Sequence, residues 1–346
     1  MSIYRTLKGD KVKSVTSDPD NPKEGQVWYN STTQQLKGRY IVAAAWASGG
    51  NVNTGRGNQS FSPVGTQTAG LLFGGQNNGL SPPKRGETEE YNGSAWTESG
   101  DLNTDRYRIA GCGTQTAGLG AGGYTLPGQT ADTEEYNGSS WAEQNNLSAI
   151  RSAAAACGTQ TAAVCIGGST YSVPEGSILR AYTEEYDGSS WTAGESIAPE
   201  LAPAPRTGVE GHGCCGTQTA ALVIGGNSST TTGQTLEYDG TNYSNSGALT
   251  RGINAGYYCG IQTNAICGAG SNTAGNRYLN DTNLYDGSTW SSSPATLATA
   301  REGSGSGGTA TAGLMFAGFI PGSPSYSLAT EEFTGEVIAT NTFDVS

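Results

Sequence analysis

One hexapeptide recurs six times along this chain of 346 residues, and this recurrence limits the folds open to the chain more than any other feature. The copies read GTQTAG or a close variant, and successive copies start 44 to 58 residues apart. A second motif of the TEEYNGSSW type follows each copy. Such a period is typical of repeat folds, in which each unit buries its surface against its neighbours. The six copies begin at Gly65, Gly113, Gly158, Gly216, Gly260 and Gly308.

Each repeat predicts four short strands joined by tight turns. In the third repeat, apolar runs flank the turn at 158–161, Gly167-Gly168 ends the second strand, and Asp187-Gly188 is a hairpin signal between the third and fourth strands. The 53 glycines and the many Thr, Ser and Asn residues argue against long helices. A four-stranded unit that must bury both faces is a propeller blade, so the sequence predicts an all-β, six-bladed β-propeller.

Further landmarks recur at fixed places in the repeats: an Arg opens the first strand, a double Gly ends the second, a Tyr lies in the third and a Trp opens the fourth. This arrangement resembles the kelch repeat over residues 46–333. The fifth and sixth repeats depart from it with Ala269-Gly270 and Ala317-Gly318, and the fourth has Tyr243 in place of the Trp. The predicted structural residues are Arg56, Arg106, Arg151, Arg206, Arg251, Arg301, Trp46, Trp96, Trp141, Trp191 and Trp290.

The last repeat lacks its own Trp, whereas Trp46 stands before the first complete repeat. Trp46 precedes Arg56 by 10 residues, the same spacing that separates Trp96 from Arg106. We therefore expect residues 40–47 to supply the fourth strand of the last blade and to close the ring, which removes an open sheet edge. The alternative is that residues 337–346 complete this blade. The predicted division is a docking arm and hairpin at 1–39 and a propeller at 40–346.

The amino-terminal segment differs from the repeats in charge. Residues 1–40 carry a net charge of +3, whereas the whole chain carries −12. The string PKEGQVWYNSTTQQLKG resembles a short module at the amino ends of virion proteins from tailed, especially marine, bacteriophages, and the kelch-like units are similar to those of the same proteins. The resemblance implies an arm that docks the chain on other virion proteins; alternatively, the segment packs under the propeller and caps it. The docking candidates are Lys8, Lys11, Lys13, Trp28 and Tyr29.

The residues that could carry catalysis have a structural interpretation. The Glu pairs of the TEEY motifs recur in most repeats, which favours ion pairs with the repeat Arg residues over acid–base chemistry. Most of the seven Cys residues occupy repeat-equivalent positions and are expected to be small buried side chains, with no metal bound. His212 is the only His, so triad chemistry would depend on one residue. We expect no enzyme activity and no cofactor.

The loops between second and third strands differ in every repeat and would emerge together on one face. Variable loops on a rigid scaffold usually carry recognition. The sequence thus favours a non-enzymatic virion protein of the tail or a fibre, whose loops meet a glycan or protein of the host surface. The alternatives are a head decoration protein and a carbohydrate-active enzyme. The candidate binding residues are Tyr124, Tyr171, Tyr182, Tyr278, Phe319, Tyr326, Arg85, Arg180 and Arg277.

Other classes of partner fit the sequence poorly. The charge of −12 disfavours nucleic acid, because such binders need a basic face. The longest apolar run, residues 41–46, is far shorter than the roughly 20 residues of a membrane-spanning helix. The first 20 residues carry charges throughout, so no signal peptide is expected, and the predicted location is a virion assembled in the host cytoplasm.

Overall fold

The computed structural model describes residues 12–20, 22–83, 85–126, 128–172, 176–197, 208–228, 231–272, 278–322 and 325–343. These residues form strands, turns and irregular segments, with no helix among them, so the prediction of an all-β chain is confirmed. Accordingly, the described ranges include no helix with the length and apolar character needed to cross a bilayer. The strands divide into two compact units, one of which combines residues up to Ala45 with those from Gly335 onwards.

The first unit contains one four-stranded sheet with the order β1 (Lys13–Val15), β2 (Val27–Asn30), β3 (Gln35–Val42) and the carboxy-terminal β30 (Val337–Phe343). β1 and β2 are parallel, whereas β30 pairs with β3 in antiparallel register from Leu36–Phe343 to Val42–Val337. Residues 337–343 therefore complete this sheet and do not pair with the last repeat.

The second unit, Trp46–Thr334, contains six four-stranded sheets among its described residues, and the pairings between strands of one repeat are antiparallel. Its strands are β4 (Ala45–Ser48), β5 (Gly65–Thr66), β6 (Ala69–Phe73), β7 (Thr88–Tyr91), β8 (Trp96–Ser99), β9 (Ala110–Thr114), β10 (Ala117–Ala121), β11 (Thr133–Tyr136), β12 (Trp141–Gln144), β13 (Ala155–Thr159), β14 (Ala162–Ile166), β15 (Ser169–Ser172), β16 (Gly176–Leu179), β17 (Thr183–Tyr186), β18 (Trp191–Ala193), β19 (Gly213–Thr217), β20 (Ala220–Ile224), β21 (Thr235–Tyr238), β22 (Tyr243–Asn245), β23 (Tyr257–Ile261), β24 (Asn264–Gly268), β25 (Thr282–Tyr285), β26 (Trp290–Ser293), β27 (Gly305–Gly308), β28 (Ala312–Phe316) and β29 (Thr330–Thr334).

The sheets follow the repeats, and we number them one to six in chain order. Sheet one contains β5–β8, sheet two β9–β12, sheet four β19–β22 and sheet five β23–β26. Sheet three contains β13, β14, β17 and β18, with β15 and β16 forming a separate hairpin between its second and third strands. Sheet six contains β27, β28 and β29, and its fourth strand is β4 from the other end of the second unit.

The fourth strand of sheet six is shorter than the predicted segment 40–47. β4 begins at Ala45, because the preceding residues as far as Val42 belong to β3 and pair with β30. Trp46 lies in β4, at the position that Trp96 and Trp141 occupy in their own sheets.

The two recurrent turns have a local physical cause. In the GTQT turn of sheet two, Gly113 has a φ of 96°, and a Cβ there would lie 2.2 Å from the carbonyl oxygen of Ala117, so only Gly fits. In the second turn, the Asp187 carboxylate accepts hydrogen bonds from the backbone N–H groups of Ser189 and Ser190, both at 2.8 Å. The bonds from Ser190 and Ser189 lower the pKa of Asp187 to about 2.

Neighbouring sheets pack through apolar side chains and through the Gln of the GTQT turn. Sheets three and four share a buried cluster that includes Val164, Ile166, Val223 and Leu236. The Gln115 Nε2 of sheet two donates to two backbone carbonyls of sheet one, Gly70 at 3.1 Å and Tyr91 at 2.7 Å. The same reach into the preceding sheet is made by Gln67, Gln160, Gln218 and Gln262, with sheet six preceding sheet one.

Two further polar contacts recur between neighbouring sheets. The Tyr136 hydroxyl donates to Glu90 of the preceding sheet at 2.6 Å, and the Trp141 Nε1 donates to the hydroxyl of Thr88 at 2.9 Å. Burial and the bond to Glu90 raise the pKa of Tyr136 to about 12. The equivalent pairs are Tyr91–Glu332, Tyr186–Glu135, Tyr238–Glu185 and Tyr285–Glu237, together with Trp46–Thr282, Trp96–Thr330, Trp191–Thr133, Trp290–Thr235 and, in sheet four, Tyr243–Thr183.

The interface between sheets five and six, called the 5/6 interface below, lacks two of these three contacts. Ala310 stands where the other repeats have Gln, while Phe333 and Leu284 stand where the Tyr and its Glu partner would be. The Trp contact is kept, with the Trp46 Nε1 at 2.9 Å from the Thr282 hydroxyl. The ring of Trp46 also packs on Tyr257 and on Phe333, with ring centroids 5.2 Å apart in each case.

Candidate ligand-binding site

Buried ion pairs within the sheets hold the segments that lead to the loops. Arg106 donates to the Glu134 carboxylate at 2.7 Å and to the carbonyls of Gly122 and Asp132 at 2.9 and 2.7 Å. Burial of the guanidinium lowers the pKa of Arg106, an effect that the charge of Glu134 opposes. The equivalent buried pairs are Arg56–Glu89, Arg151–Glu184 and Arg301–Glu331; sheet five has the more exposed pair Arg251–Asp281, and Arg206 lies outside the described residues.

The glutamates of the TEEY motifs are thus engaged in packing. The first Glu of the pair accepts from the repeat Arg of its own sheet, as in Glu89 and Arg56 at 2.6 Å. The second Glu accepts from the Tyr of the following sheet, as in Glu90 and Tyr136. Both carboxylates already have strong donors, which is the structural role that the repeat pattern predicts.

A closed cycle of backbone hydrogen bonds joins all six repeats just after these Arg residues. Each member donates its N–H to the carbonyl oxygen of the member in the preceding repeat, over distances of 2.6 to 2.9 Å. The first member, Asn58, donates to the last, Gly303, so the cycle returns to its start. We call this set the inner ring; its members are Asn58, Arg108, Ala153, Gly211, Ala255 and Gly303.

All six inner-ring residues have left-handed backbone conformations, with φ between 52° and 63°. Four of them are not glycine, and this conformation costs a non-glycine residue roughly 1–3 kcal/mol. The interlocked hydrogen bonds hold that strain in place. Strained backbone held by its surroundings is often found at binding sites, and here it fixes the Cα positions around the cycle.

Next to the inner ring, each repeat carries one isolated β-bridge between the segment after its Arg and the segment after its double Gly. The backbone geometry repeats six times, whereas the side chains differ in every repeat. One repeat presents two tyrosines, another two serines, and others a carboxylate beside an amide or a phenyl ring. The bridged pairs are Gly57–Gln76, Tyr107–Tyr124, Ser152–Ser169, Glu210–Asn227, Asn254–Ser271 and Glu302–Phe319.

A cavity of about 490 Å³ opens at the inner ring, and we call it the central cavity. Residues of every repeat except the third line it, which places side chains from distant parts of the sequence around one space. Its wall is polar apart from Phe319 and Ala255, and amide side chains dominate it. These amides belong to Asn58, Gln76, Asn227, Asn254 and Asn272.

Arg108 and Glu302 supply the charges in the lining of the central cavity. The Nε of Arg108 is buried and has no hydrogen-bond partner among the described residues. The Nε atoms of Arg56, Arg106 and Arg151 are buried in the same way, so this feature recurs along the repeats. The positive charge of Arg108 is what this residue offers a ligand in the cavity. The carboxylate of Glu302 is buried, although its residue is also engaged within the protein.

Three of the predicted binding residues lie at or beside these bridges. Phe319 lines the central cavity, and its ring centroid is 5.1 Å from that of Tyr326. The ring of Tyr124 packs on Tyr107 with centroids 5.3 Å apart. The structure thus brings Phe319 and Tyr326 together and places Tyr124 in the bridge of repeat two.

The other predicted binding residues are located elsewhere. Tyr171 is exposed on the β15–β16 hairpin, and the Arg180 guanidinium lies 5.8 Å above the ring of Tyr182. Arg85 is held in an ion pair with Glu87. Tyr278 has a left-handed backbone with a φ of 62°, whereas Arg277 lies outside the described residues.

The predicted docking residues belong to the first unit. Trp28 is fully buried there, and its Nε1 donates to the Asp18 carboxylate at 3.0 Å, so its indole serves the packing of that sheet. Lys13 is exposed in β1, and Tyr29 is half-buried in β2. Lys8 and Lys11 lie outside the described residues.

The thiols and the single His are inside the second unit. All seven Cys residues are buried and reduced, and burial raises the pKa of each thiol, for example that of Cys112. His212 is also buried, which lowers its pKa to about 3. Across the described ranges, no group of three His, Cys, Asp or Glu side chains is arranged to hold a metal ion.

Sequence analysis missed most of the central cavity. Asn58, Arg108 and Glu302 lie one or two residues after a repeat Arg, in segments that the strand pattern treats as links. The missed signal was that the inner-ring residue lies two positions after the repeat Arg in repeats one, two, three and six, and yet its side chain changes from repeat to repeat. In comparisons with known proteins, neither a protein-family model nor a curated protein sequence matched this chain.

Proposed function

We propose that the six sheets are the blades of a closed, six-bladed, kelch-like β-propeller whose sixth blade is completed by β4. The cyclic inner-ring hydrogen bonds support this arrangement, as do contacts between the first strands of successive sheets, including β27 with β5. The contacts of Gln67 and Trp96 with sheet six provide independent support, because they join the first repeat to the last.

We further propose that the protein is a non-enzymatic recognition component of a bacteriophage virion, located at the tail or a fibre, and that its loop face binds the host surface. The observation that carries the recognition function is that the six bridges share one backbone geometry, while the bridge residues that line the central cavity, such as Gln76, Asn227 and Glu302, differ between repeats. Identical scaffolds with varied side chains are what a binding surface requires.

A carbohydrate-active enzyme is the weaker candidate. Among the described residues that line the cavity there is one carboxylate, Glu302, whereas glycoside hydrolysis usually uses two carboxyl groups. The paired glutamates of the TEEY motifs are held by Arg and Tyr donors in the sheets. A head decoration protein is the other alternative, and it shares the virion location but not the host contact.

The virion assignment rests on the resemblance of the amino-terminal segment and the repeats to phage proteins. Immunogold labelling of purified phage particles with antibodies against residues 51–346 tests it. Gold at the tail tip or fibres is expected; gold over the head would favour decoration, and unlabelled particles would overturn the virion proposal.

Recognition is tested by binding of the fluorescently labelled full chain to host cells. Arg108→Ala is expected to reduce binding at least tenfold, since it removes the positive charge of Arg108 from the cavity lining. This variant should fold, because Ala153 and Ala255 occupy equivalent inner-ring positions. Glu143→Gln, an exposed change in β12, is the control and should bind like the unmodified protein. Equal binding by both variants would exclude the central cavity.

A further inference from the structure

A second cavity lies beside the central one, between the loops of the first and last repeats. It has a volume of about 740 Å³, and we call it the outer cleft. One wall comes from residues 77–80, after the double Gly of repeat one, and the other from residues 325, 326 and 328 of repeat six. Leu80 and Leu328 line it and are exposed to 42% and 45%, which is high for apolar side chains of this size.

One hydrogen bond within the first repeat and one between the first and last repeats hold the walls of the outer cleft in place. The backbone N–H of Asn78 donates to the Tyr326 hydroxyl at 2.8 Å, and the Asn77 Nδ2 donates to the Gly55 carbonyl at 2.6 Å. The polar end of Tyr326 is therefore fixed, while its ring packs against that of Phe319 at an angle of 45°. The cleft is built before any ligand enters, which reduces the entropy lost on binding.

Phe319 lines both the central cavity and the outer cleft. Its backbone is held in the bridge to Glu302 by two hydrogen bonds, of 2.7 and 3.1 Å. Each cavity has a size typical of a site for a small-molecule ligand, roughly 300–1,000 Å³. A ligand that fills both must therefore be extended and must cross the ring of Phe319.

The two cavities differ in chemistry, and together they fit a carbohydrate chain. Amide side chains are both donors and acceptors, as sugar hydroxyl groups are, so the central cavity complements a hydroxyl-rich unit. The outer cleft offers aromatic and aliphatic surface, which suits the less polar faces of a sugar ring. A strongly anionic chain is a poorer fit, because the protein carries a net charge of −12 and, among the described residues, Arg108 alone brings a positive charge to the cavity lining.

We propose that the central cavity and the outer cleft are two subsites for one oligosaccharide of at least two sugar units, with Phe319 between them. This inference rests on the proposed recognition function and specifies its ligand. It predicts that affinity increases with chain length until both subsites are filled. It also predicts that the outer cleft strengthens binding through residues that are not members of the inner ring.

The test uses the labelled full chain, host cells, and fragments of one to six units prepared from the host surface polysaccharide. Periodate oxidation of the cells should abolish binding, whereas protease treatment should not. Fragments of two or more units should compete at least tenfold better than single units. Tyr326→Ala should remove this advantage, while Tyr40→Ala, a matched change at an exposed tyrosine of β3, should preserve it. Leu80→Ser changes the same cleft but keeps the hydrogen bond between Asn78 and Tyr326. It should give the same result as Tyr326→Ala.

Three other outcomes would exclude the second subsite, the carbohydrate ligand or the recognition function. If single units compete as well as long fragments, and Arg108→Ala still weakens binding, the second subsite is excluded while the recognition function stands. If protease but not periodate abolishes binding, the partner is a protein and the carbohydrate assignment fails. If the unmodified chain does not bind cells before any treatment, the recognition function fails first.

Discussion

The 5/6 interface and the interface between sheets one and two join equivalent strands, but they do so with different side-chain contacts. Between sheets one and two, Gln115, Tyr136 and Trp141 all donate hydrogen bonds to the neighbouring sheet. At the 5/6 interface, Trp46 alone of these donors remains. The Tyr and Glu partners are replaced together, by Phe333 and Leu284, so neither is left buried without the other.

This joint replacement matters because the two kinds of loss differ in cost. Removing one partner of a buried hydrogen bond leaves the other unsatisfied, whereas replacing both by apolar groups can be nearly neutral. The 5/6 interface keeps the Trp contact and also packs Trp46 on Tyr257 of sheet five, while Trp46 packs on Phe333 within its own sheet. Since Trp46 lies in β4, this interface depends on a strand from outside the sixth repeat.

The largest expected effect follows from that dependence. Trp46→Ala should lower the free energy of unfolding by about 3–5 kcal/mol, because it removes a large packed ring and the recurrent Trp–Thr hydrogen bond that this interface keeps. Trp191→Ala is the matched change at another interface. We expect it to cost about 1 kcal/mol less, since Gln160 and Tyr186 still join sheets two and three.

Urea denaturation of both variants, followed by intrinsic fluorescence and circular dichroism, measures the difference. Equal losses would show that the polar contacts of the other interfaces contribute little and that the Trp packing dominates everywhere. A larger loss for Trp191→Ala would contradict the distinction between the two kinds of interface.

The second prediction rebuilds the missing contact. Leu284→Glu alone should destabilise the chain by about 1–3 kcal/mol, because it introduces a carboxylate without a donor. Phe333→Tyr alone should also destabilise it, by about 1 kcal/mol. The double variant should recover about 1–2 kcal/mol relative to the sum of the two single changes, because Tyr91 and Glu332 form this pair at 2.6 Å in the next interface.

A double-mutant cycle from denaturation midpoints gives this coupling energy directly. The same cycle with Tyr136→Phe and Glu90→Leu at the interface of sheets one and two is the control, and it should show coupling of the same sign. Additive effects at the 5/6 interface would mean that its backbone spacing differs from that of the other five.

Features that recur in local motifs could be predicted from the sequence, whereas contacts that occur once in the molecule could not. The turns at Gly113 and Asp187 and the pairing of Arg106 with Glu134 follow from local motifs, so they were predictable. The pairing of β3 with β30 joins residues about 300 positions apart and has no local signal. The same holds for Phe319 and Asn58, which come together only through the six-membered cycle of backbone hydrogen bonds.

The smallest expected effect is on the pH dependence of stability. Alkaline pH should weaken the interfaces that contain a Tyr–Glu pair but not the 5/6 interface. The pKa of Tyr136 is raised to about 12, above the ordinary value of 10, by burial and by the bond to Glu90. Between these values the unfolded chain has lost the proton that the folded chain still holds, so stability falls as the pH rises from about 10 to about 12. Tyr91 and Tyr285 behave alike, whereas Phe333 cannot titrate.

Tyr136→Phe should therefore make the decline in stability from pH 10 to 12 shallower, by less than the limit of about 1.4 kcal/mol per pH unit for one proton. Because the Glu90 side chain is partly exposed, screening by solvent reduces the effect further. If denaturation midpoints fall equally steeply for the unmodified protein and Tyr136→Phe, the tyrosine–carboxylate pairs do not stabilise the five polar interfaces, and the difference from the 5/6 interface lies in the Gln contacts alone.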